Sequence, residues 1–445
     1  MQNSISGKLL ARISDAHPID ARLRAVEAGE RPIAFSHVIE AAQPILVATI
    51  ADRLARTFWV ICPTVRTQEL LYESLLNWAP HALFLPEAEF AAVENILPDP
   101  EISAERLALL ARVGRDPGPH LVVTTKAALD QPAPKLAALK SATLRLKRGA
   151  RQPMEQLLDS LGAAGYDRVA QVTARGQFAV RGGILDMFSW QAQLPVRAEF
   201  FDDELESLRE FDVDTQTSIR NLQSADLLLG ASEERGAQVR DYISKDHLRI
   251  EVEPEENAAA DIVISGGWIG SEGAEDFSGA FHDAEVGEFA AGDFMLAEAK
   301  RTQFAARLQD WKREGNRIVI YFQTEGEIER FGEFMAAADG GLDGVERAEG
   351  TLARGFSFPA GKLVVLSAAE LFGRNTTHGR RRLQRAEKFG ANRAQIDFSE
   401  LNEGDLVVHL EHGVGRFLLL MKLPAAGGGI QEVLALEFAE EAKLY

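Results

Sequence analysis

The run from Arg175 to Phe211 constrains the fold of this chain more than any other segment. Its side chains alternate, so that Phe178 and Val180 share one face of a strand while Arg181 lies on the other. Gly182-Gly183 then loosens the strand, as a bulge or a close backbone approach would. The spacing therefore predicts short strands and not a helix.

Two further features of the same run extend this prediction. Leu194-Pro195 precedes a second strand, and Asp202-Asp203 forms a turn into a third. Three or four strands joined by turns are typical of an antiparallel meander.

The whole sequence sets the class of protein. Its 445 residues, 46% hydrophobic and 26% charged, predict roughly three soluble domains. Cys62 is the only cysteine, which excludes a disulfide framework and favours a reducing cytosol. No window approaches the ~20 apolar residues of a membrane span. We therefore expect a cytoplasmic protein without a membrane partner.

The charge is unevenly distributed. A net charge of −19 argues against strong nonspecific DNA binding by the whole chain. Glu251 to Ala299 has 13 acidic residues and no Lys or Arg, which is typical of a solvated surface. Arg374 to Arg393 is rich in arginine and could hold phosphate, although a solvated helix face or a linker is the simpler interpretation.

Strand and helix patterns alternate on both sides of the meander, which indicates parallel α/β sheets. In the first block the predicted helix Ile102–Val113 has Ser103 as its N-cap. In the second block a helix from Arg301 ends at Gly315. Strand-like runs follow Gly404, and the sequence stops inside this β-module. We expect a piece of a longer protein.

The meander resembles the domain shared by the excision-repair protein UvrB and the family of transcription-repair coupling factors (Mfd). The matching residues are Arg175-Gly-Gln-Phe178, Val180-Arg-Gly182, Asp186, Phe188, Val196-Arg-Ala-Glu-Phe-Phe201 and Phe211-Asp-Val-Asp214.

Other segments resemble the coupling factors alone. They are Arg354-Gly-Phe-Ser-Phe, Glu370-Leu-Phe-Gly373, the run Gly404 to Arg416, Glu437-Phe-Ala and Lys443-Leu-Tyr445. The resemblance covers nearly the whole chain, and it is strong at 165–214 and 403–417 and weak at 220–300.

This resemblance implies a domain organisation. Residues 1–133 would form a UvrB-like α/β domain without a P-loop, and 134–219 an inserted, antiparallel β-rich domain that binds UvrA. Residues 220–300 would complete the first domain, 301–397 would form a small α/β domain with a basic linker, and 398–445 part of an all-β, CarD-like module that binds RNA polymerase.

The family also implies binding residues. UvrA would dock on Arg168, Arg175, Phe178, Arg181 and Phe188. The alternative is that Arg175 and Arg181 pair with the acids Asp186, Asp202 and Asp203. The β subunit of RNA polymerase would pair with an edge strand near Val433, Leu436, Phe438 and Leu444.

No nucleotide chemistry is expected in this chain. The segment Ile33–Pro44 stands where UvrB has its P-loop, but it contains neither Gly nor Lys, and GxxxxGK[ST] occurs nowhere in the sequence. The family resemblance implies that ATP and Mg²⁺ bind a downstream motor, which also handles DNA. We therefore predict no cofactor, no catalysis and at most weak DNA binding here.

Two other functions stay open, a DNA-dependent ATPase or helicase domain and a direct DNA-binding module that uses the basic stretch. A metal site at His409 and His412 would need further ligands, so a turn between strands is the preferred interpretation.

Overall fold

The computed structural model describes residues 2–88, 100–116, 118–229, 236–254, 260–267, 281–284, 297–337, 342–372, 406–409, 413–424, 430–437 and 443–444. The chain divides into two compact units, 1–376 and 377–445. The predictions for the basic stretch Arg374–Arg393 and for most of the acidic segment lie outside the described residues.

The described helices all belong to the first unit. They are α1 (Gln2–Ser14), α2 (His17–Glu27), α3 (Gln43–Leu54), α4 (Val65–Leu75), α5 (Pro100–Arg115), α6 (Lys126–Asp130), α7 (Leu136–Ser141), α8 (Met154–Ala163), α9 (Glu298–Arg313), α10 (Glu325–Ala337) and α11 (Ala368–Leu371).

Helix ends show one correct and one wrong prediction. Gly315, with φ of 78°, follows the end of α9 as expected. The N-cap at Ser103 is wrong, because α5 begins three residues earlier at Pro100. Proline fits the first turn of a helix, where its missing N–H is not needed.

The strands of the first unit fall into several sheets. They are β1 (Ile33–Phe35), β2 (Phe58–Cys62), β3 (Leu83–Phe84), β4 (Leu121–Thr125), β5 (Pro132–Ala133), β6 (Thr143–Lys147), β7 (Asp167–Arg168), β8 (Gln177–Arg181), β9 (Ile184–Phe188), β10 (Val196–Phe201), β11 (Glu204–Phe211), β12 (Ser218–Asn221), β13 (Ser224–Leu228), β14 (Ala237–Gln238), β15 (Leu248–Val252), β16 (Ile262–Ile264), β17 (His282–Asp283), β18 (Arg317–Phe322), β19 (Val345–Glu349), β20 (Phe356–Phe358) and β21 (Leu363–Ser367).

The first sheet has the order β1-β16-β15-β2-β4-β3, and all its pairs are parallel. The predicted parallel α/β architecture is thereby confirmed. Strands β15 and β16 follow the meander in sequence but pair within this sheet, so the meander is inserted between β4 and β15.

The meander forms a sheet of order β12-β11-β10-β9-β8-β7, antiparallel from β8 to β12 as predicted. Gly182-Gly183 forms the turn that connects β8 to β9, so the prediction of a single strand loosened at these glycines is wrong. A Cβ on Gly183 would lie 2.7 Å from the Phe200 carbonyl oxygen, which confirms the close backbone approach. Asp202, with φ of 53°, lies in the predicted turn. The boundary expected at residue 219 falls within β12.

The third large sheet, β17-β20-β21-β18-β19, joins the first through a common hydrophobic core. Leu9 of α1 is fully buried in this core together with Phe356. The rings of Trp78 and Tyr321 meet edge to face at 5.1 Å. Helix α1 and the end of α4 therefore bind the two α/β sheets into one compact unit.

The second unit is described only by four strands. They are β22 (Leu406–His409), β23 (Gly413–Pro424), β24 (Ile430–Glu437) and β25 (Lys443–Leu444), paired antiparallel in that order. The predicted β-module is confirmed for these residues. Among the helices described in the whole chain, none is long and apolar enough to cross a membrane.

His247 gives the fold a pH dependence that can be measured. Its Nδ1 accepts hydrogen bonds from Trp59 Nε1 at 3.1 Å and from the Ser244 N–H at 3.2 Å. Burial, followed by the nearby His120, lowers the pKa of His247. Because the folded state favours the neutral ring, this contribution is complete above the ordinary pKa and is lost as the pH falls through the lowered one.

We predict that His247→Gln flattens the loss of melting temperature between pH 7.5 and pH 5, since a glutamine takes up no proton. Thermal melts at several pH values test this, with the exposed His81→Gln as the control. Identical slopes for the wild type and His247→Gln would contradict the assignment.

Candidate docking surface of the meander sheet

The meander sheet is buried on both faces, which decides where the predicted docking residues lie. On the inner face Phe178 packs in one cluster with Leu157 and Leu161 of α8. On the outer face Phe188 packs with Phe211 in a second cluster. Phe178 and Phe188 are each only 5% exposed, so neither offers its ring to a partner in this structure. The docking role of these two residues stays a prediction.

Arg175 and Phe188 nevertheless belong together. The guanidinium of Arg175 lies 5.2 Å from the centre of the Phe188 ring, and its Nε donates to the Ala192 carbonyl at 2.9 Å. Gly176, with φ of 75°, lies against the Trp190 ring and leaves no space for a Cβ. Phe188 therefore holds the Arg175 guanidinium in place.

The other two predicted arginines are exposed. Arg168 lies on β7, with its backbone beside Phe178 in a parallel pair. Arg181 ends β8, and its Nη2 donates to the Ala170 carbonyl at 2.9 Å. Because a strand rises about 3.3 Å per residue, β8 separates its Gln177 end, next to Arg175, from Arg181 by about 13 Å. The three arginines thus form a strip along the β7–β8 edge and not a single cluster.

One acid of the alternative pairing, Asp186, is bound by Arg197. Arg197 binds that buried carboxylate at both oxygens, with Nε–Oδ1 at 2.7 Å and Nη2–Oδ2 at 2.9 Å. The same guanidinium lies 4.6 Å from the centre of the Phe211 ring, and its pKa is raised, chiefly by the hydrogen bond to Asp186. Within the described part of the chain, no carboxylate lies within ion-pair distance of Arg181.

Sequence reasoning missed one exposed aromatic residue, Phe201. Its side chain is 76% exposed at the end of β10. The signal was present, because alternation along β10 places Phe201 on the outer face with Arg197 and Glu199, while Phe200 points inward.

The segment Ile33–Pro44, where the resemblance leads us to expect no P-loop, contacts Glu253 through its Gln43 side chain. Gln43, the first residue of α3, donates from Nε2 to Glu253 Oε1 at 2.5 Å and to the Val38 carbonyl at 3.2 Å. Ser265 Oγ donates to Glu253 Oε2 at 2.9 Å, and the Gly266 N–H to Oε1 at 2.7 Å. The Glu253 carboxylate thus accepts three hydrogen bonds beside the first residue of α3.

The paired motifs around Arg354 and Glu370 also meet. The Gly355 N–H donates to Glu370 Oε2 at 2.7 Å, and Arg354 Nε lies 3.9 Å from Oε1. Burial raises the pKa of Glu370. A Cβ on Gly355 would lie 2.6 Å from the Val365 carbonyl oxygen, so the motif needs glycine there. These contacts give the motif a structural role.

In the second unit, β24 pairs with β23 along its whole length but with β25 only at Leu436 and Glu437. The other side of β24 near Val433 therefore has no strand partner among the described residues. Leu444 lies opposite Leu436, and Phe438 is outside the described residues.

The candidate histidine site has one described member. His409 pairs with Gly413 across β22 and β23, and His412 lies outside the described residues. Throughout the described ranges, no three His, Cys, Asp or Glu side chains are grouped as a metal site would require.

Two parts of the chain match known families. Residues 144–231 match the UvrB interaction domain, and residues 401–445 match the CarD-like/TRCF RID domain. The first match contains the whole meander sheet and the pair β6–β13.

Similar proteins are transcription-repair-coupling factors. That of Escherichia coli is 24% identical over 515 aligned residues, which cover 94% of this chain and 44% of the relative. That of Myxococcus xanthus is 24% identical and covers 82% of this chain and 40% of the relative. That of Mycobacterium tuberculosis is 33% identical over 214 residues, or 46% of this chain and 17% of the relative. The chain spans less than half the length of these relatives.

The fold and the domain matches define a multidomain α/β chain that carries a UvrB-type interaction domain and a CarD-like domain. With alignments over most of its length, they support an N-terminal region of a transcription-repair-coupling factor.

A substitution at Gly176, which follows Arg175, tests how much the close contact with Trp190 contributes to stability. We predict that Gly176→Ala lowers the free energy of unfolding by about 2–4 kcal/mol, because a left-handed backbone and overlap with Trp190 add together. Gly165→Ala is the matched control, since its φ is 78° but no atom lies within 4 Å of its Cβ. It should cost only about 1–2 kcal/mol. Equal losses in denaturant melts would show that the Trp190 contact contributes nothing.

Proposed function

We propose that this chain is the non-catalytic recruitment part of a transcription-repair coupling factor. Its meander sheet docks UvrA, and its C-terminal sheet contacts RNA polymerase. The observation that carries the proposal is the coincidence of the UvrB interaction domain match with a sheet whose β7–β8 edge presents Arg168 and Arg181 to solvent.

The chemistry of this edge suits a protein partner with acidic groups. Arginine offers a planar fork of donors for carboxylates and contributes strongly to interfaces. Arg181 uses one N–H group in its hydrogen bond to the Ala170 carbonyl, and its positive charge remains exposed for a partner. Arg175 is held more rigidly on Phe188, so its position loses little freedom on binding.

Other parts of the molecule support a role without catalysis. Beside the first residue of α3, the Glu253 carboxylate accepts hydrogen bonds from the Gln43 side chain and from the Gly266 N–H. In the family that this chain resembles, a downstream motor hydrolyses ATP and moves along DNA. We therefore assign ATP, Mg²⁺ and most of the DNA binding to that motor, and not to these residues.

The docking proposal predicts that Arg181→Ala weakens binding of purified UvrA by at least about tenfold, because an exposed charge at the interface is lost. Isothermal titration calorimetry measures the affinity, and melting temperatures confirm that the variant is folded.

Arg220→Ala is the matched control. Arg220 is also an exposed arginine of this sheet, but it lies on β12 at the opposite edge, paired with Glu210. Its variant should bind UvrA with wild-type affinity. Equal losses in both variants would point to a general charge effect, and unchanged binding of Arg181→Ala would move the surface elsewhere.

The polymerase contact would use the side of β24 that has no strand partner among the described residues. We propose that a strand of the RNA polymerase β subunit pairs there, at backbone near Val433 and beside Leu436 and Leu444, and extends the sheet. Phe438 directly follows this strand in sequence and is part of the same proposal.

Val433→Lys should weaken binding of the isolated β subunit by at least about tenfold, because a lysine on an edge strand opposes strand addition. Leu406→Lys is the control, since Leu406 lies on β22 at the other edge and is already exposed. Biolayer interferometry compares the two variants, and UvrA binding should be unchanged in both. If Leu406→Lys weakened binding more than Val433→Lys, the polymerase contact would lie on β22, at the other edge of the sheet, and the proposal would be wrong.

A further inference from the structure

Phe201 is the most exposed large hydrophobic side chain in the described part of the molecule. It is 76% exposed, whereas the next, Leu406 and Ile219, are 71% and 53% exposed. Its backbone is well ordered by pairing, because Phe201 lies opposite Glu204 in the closing pair of the β10–β11 hairpin. A phenyl ring in solvent on a regular hairpin contributes nothing to the packing of the core.

The end of the β10–β11 hairpin, which carries Phe201, is hydrogen-bonded to the β8–β9 turn that follows Arg181. The Phe200 N–H donates to the Gly183 carbonyl at 2.8 Å, and Arg181 lies opposite Ile184 in the closing pair of the β8–β9 hairpin. Two strand spacings, about 10 Å, separate β8 from β10. Arg181 and Phe201 therefore stand at the same end of the sheet, within reach of one partner surface.

Among the described residues, neither apolar cluster of this sheet includes Phe201. On the outer face, the apolar cluster beneath the loops consists of Val172, Ala179, Phe188 and Phe211, with Val169, Ala192 and Val213 beside it, and it does not include Phe201. On the inner face, Phe200 already packs against the core. Because side chains alternate along β10, Phe200 enters the inner core and Phe201 lies on the opposite face of the sheet.

We propose that Phe201 is an anchor of the docking surface, and that it enters an apolar pocket of UvrA whose rim carries a carboxylate for Arg181. This inference rests on the proposed function and adds a specificity-determining residue to it. Aromatic and arginine side chains are the usual hot spots of interfaces, and they are most effective side by side. A short, charged turn, Asp202-Asp203, follows Phe201 and keeps the tip soluble without the partner.

The test is calorimetric titration of UvrA into the wild-type chain and into Phe201→Ala, Phe201→Trp and Ile219→Ala. Phe201→Ala should weaken binding at least about tenfold. Phe201→Trp, which retains a large apolar ring, should stay within about threefold of the wild type. Ile219→Ala removes an exposed apolar side chain from the opposite end of the strand ladder, on β12, and should change nothing.

The outcomes separate this inference from the function on which it rests. If Arg181→Ala weakens binding but Phe201→Ala does not, the docking surface stands and the anchor is overturned. If the wild-type chain does not bind UvrA, the proposed function fails and the anchor fails with it. Analytical sedimentation of the same proteins tests whether Phe201 mediates self-association. If the wild type is a dimer, Phe201→Ala is a monomer and UvrA binding is unchanged, then Phe201 contacts a second copy of this chain and the inference is overturned.

Discussion

Two arginine–aromatic stacks on the outer face of the meander sheet organise everything that we assign to its surface. Arg175 lies on Phe188, and Arg197 lies on Phe211 while it binds the buried Asp186. The two rings are buried beneath loops, so each guanidinium is fixed by packing below it and by hydrogen bonds around it. Removing either ring would release a charge and open the small core of this face.

This arrangement explains why a surface can depend on buried residues. The aromatic positions matter because they set the direction of an arginine, while exposed neighbours such as Arg168 and Arg181 supply the charge. Gly176 is needed for the same reason, since the chain must turn with a positive φ directly under Trp190. In the proposed function, a change at any of these positions would act on UvrA binding through the geometry of the arginines.

The α/β sheets serve as support for this surface. At the first sheet, Glu253 accepts three hydrogen bonds, from Gln43, Ser265 and Gly266. The third sheet shares its core with α1 and with the first sheet, which adds rigidity. A fold of this kind can lose its nucleotide chemistry and still hold an inserted domain, because a sheet's packing does not depend on the ligand at its edge.

The sequence predicted local structure well and long-range contacts poorly. The strands β10 and β11 followed from alternation and from the turn at Asp202-Asp203, because a pleat and a tight turn depend on neighbours in sequence. The turn at Gly182-Gly183 was expected only as a loosened point within one strand. The burial of Phe178 and Phe188 could not be predicted from alternation, because a strand that is covered on both faces has no exposed face to mark with polar residues. Likewise, Gln43 and Glu253 are 210 residues apart, and only the fold brings them together.

The alternation along β10 was sufficient to place Phe201 outward, but a pair of phenylalanines is more readily taken as core. The start of α5 was missed for a related reason, since Ser103 is a good N-cap by type while Pro100 starts the helix by geometry. The partners were predicted from the family resemblance alone, because no local pattern in the residues identifies them.

Hydrogen–deuterium exchange of the chain with and without UvrA tests the central claim most directly. The account predicts that UvrA slows exchange in peptides that cover 167–181 and 198–204, and leaves the parallel strands β1 and β2 unchanged. Slower exchange confined to the first α/β sheet, in a complex that has demonstrably formed, would contradict a docking surface on the meander.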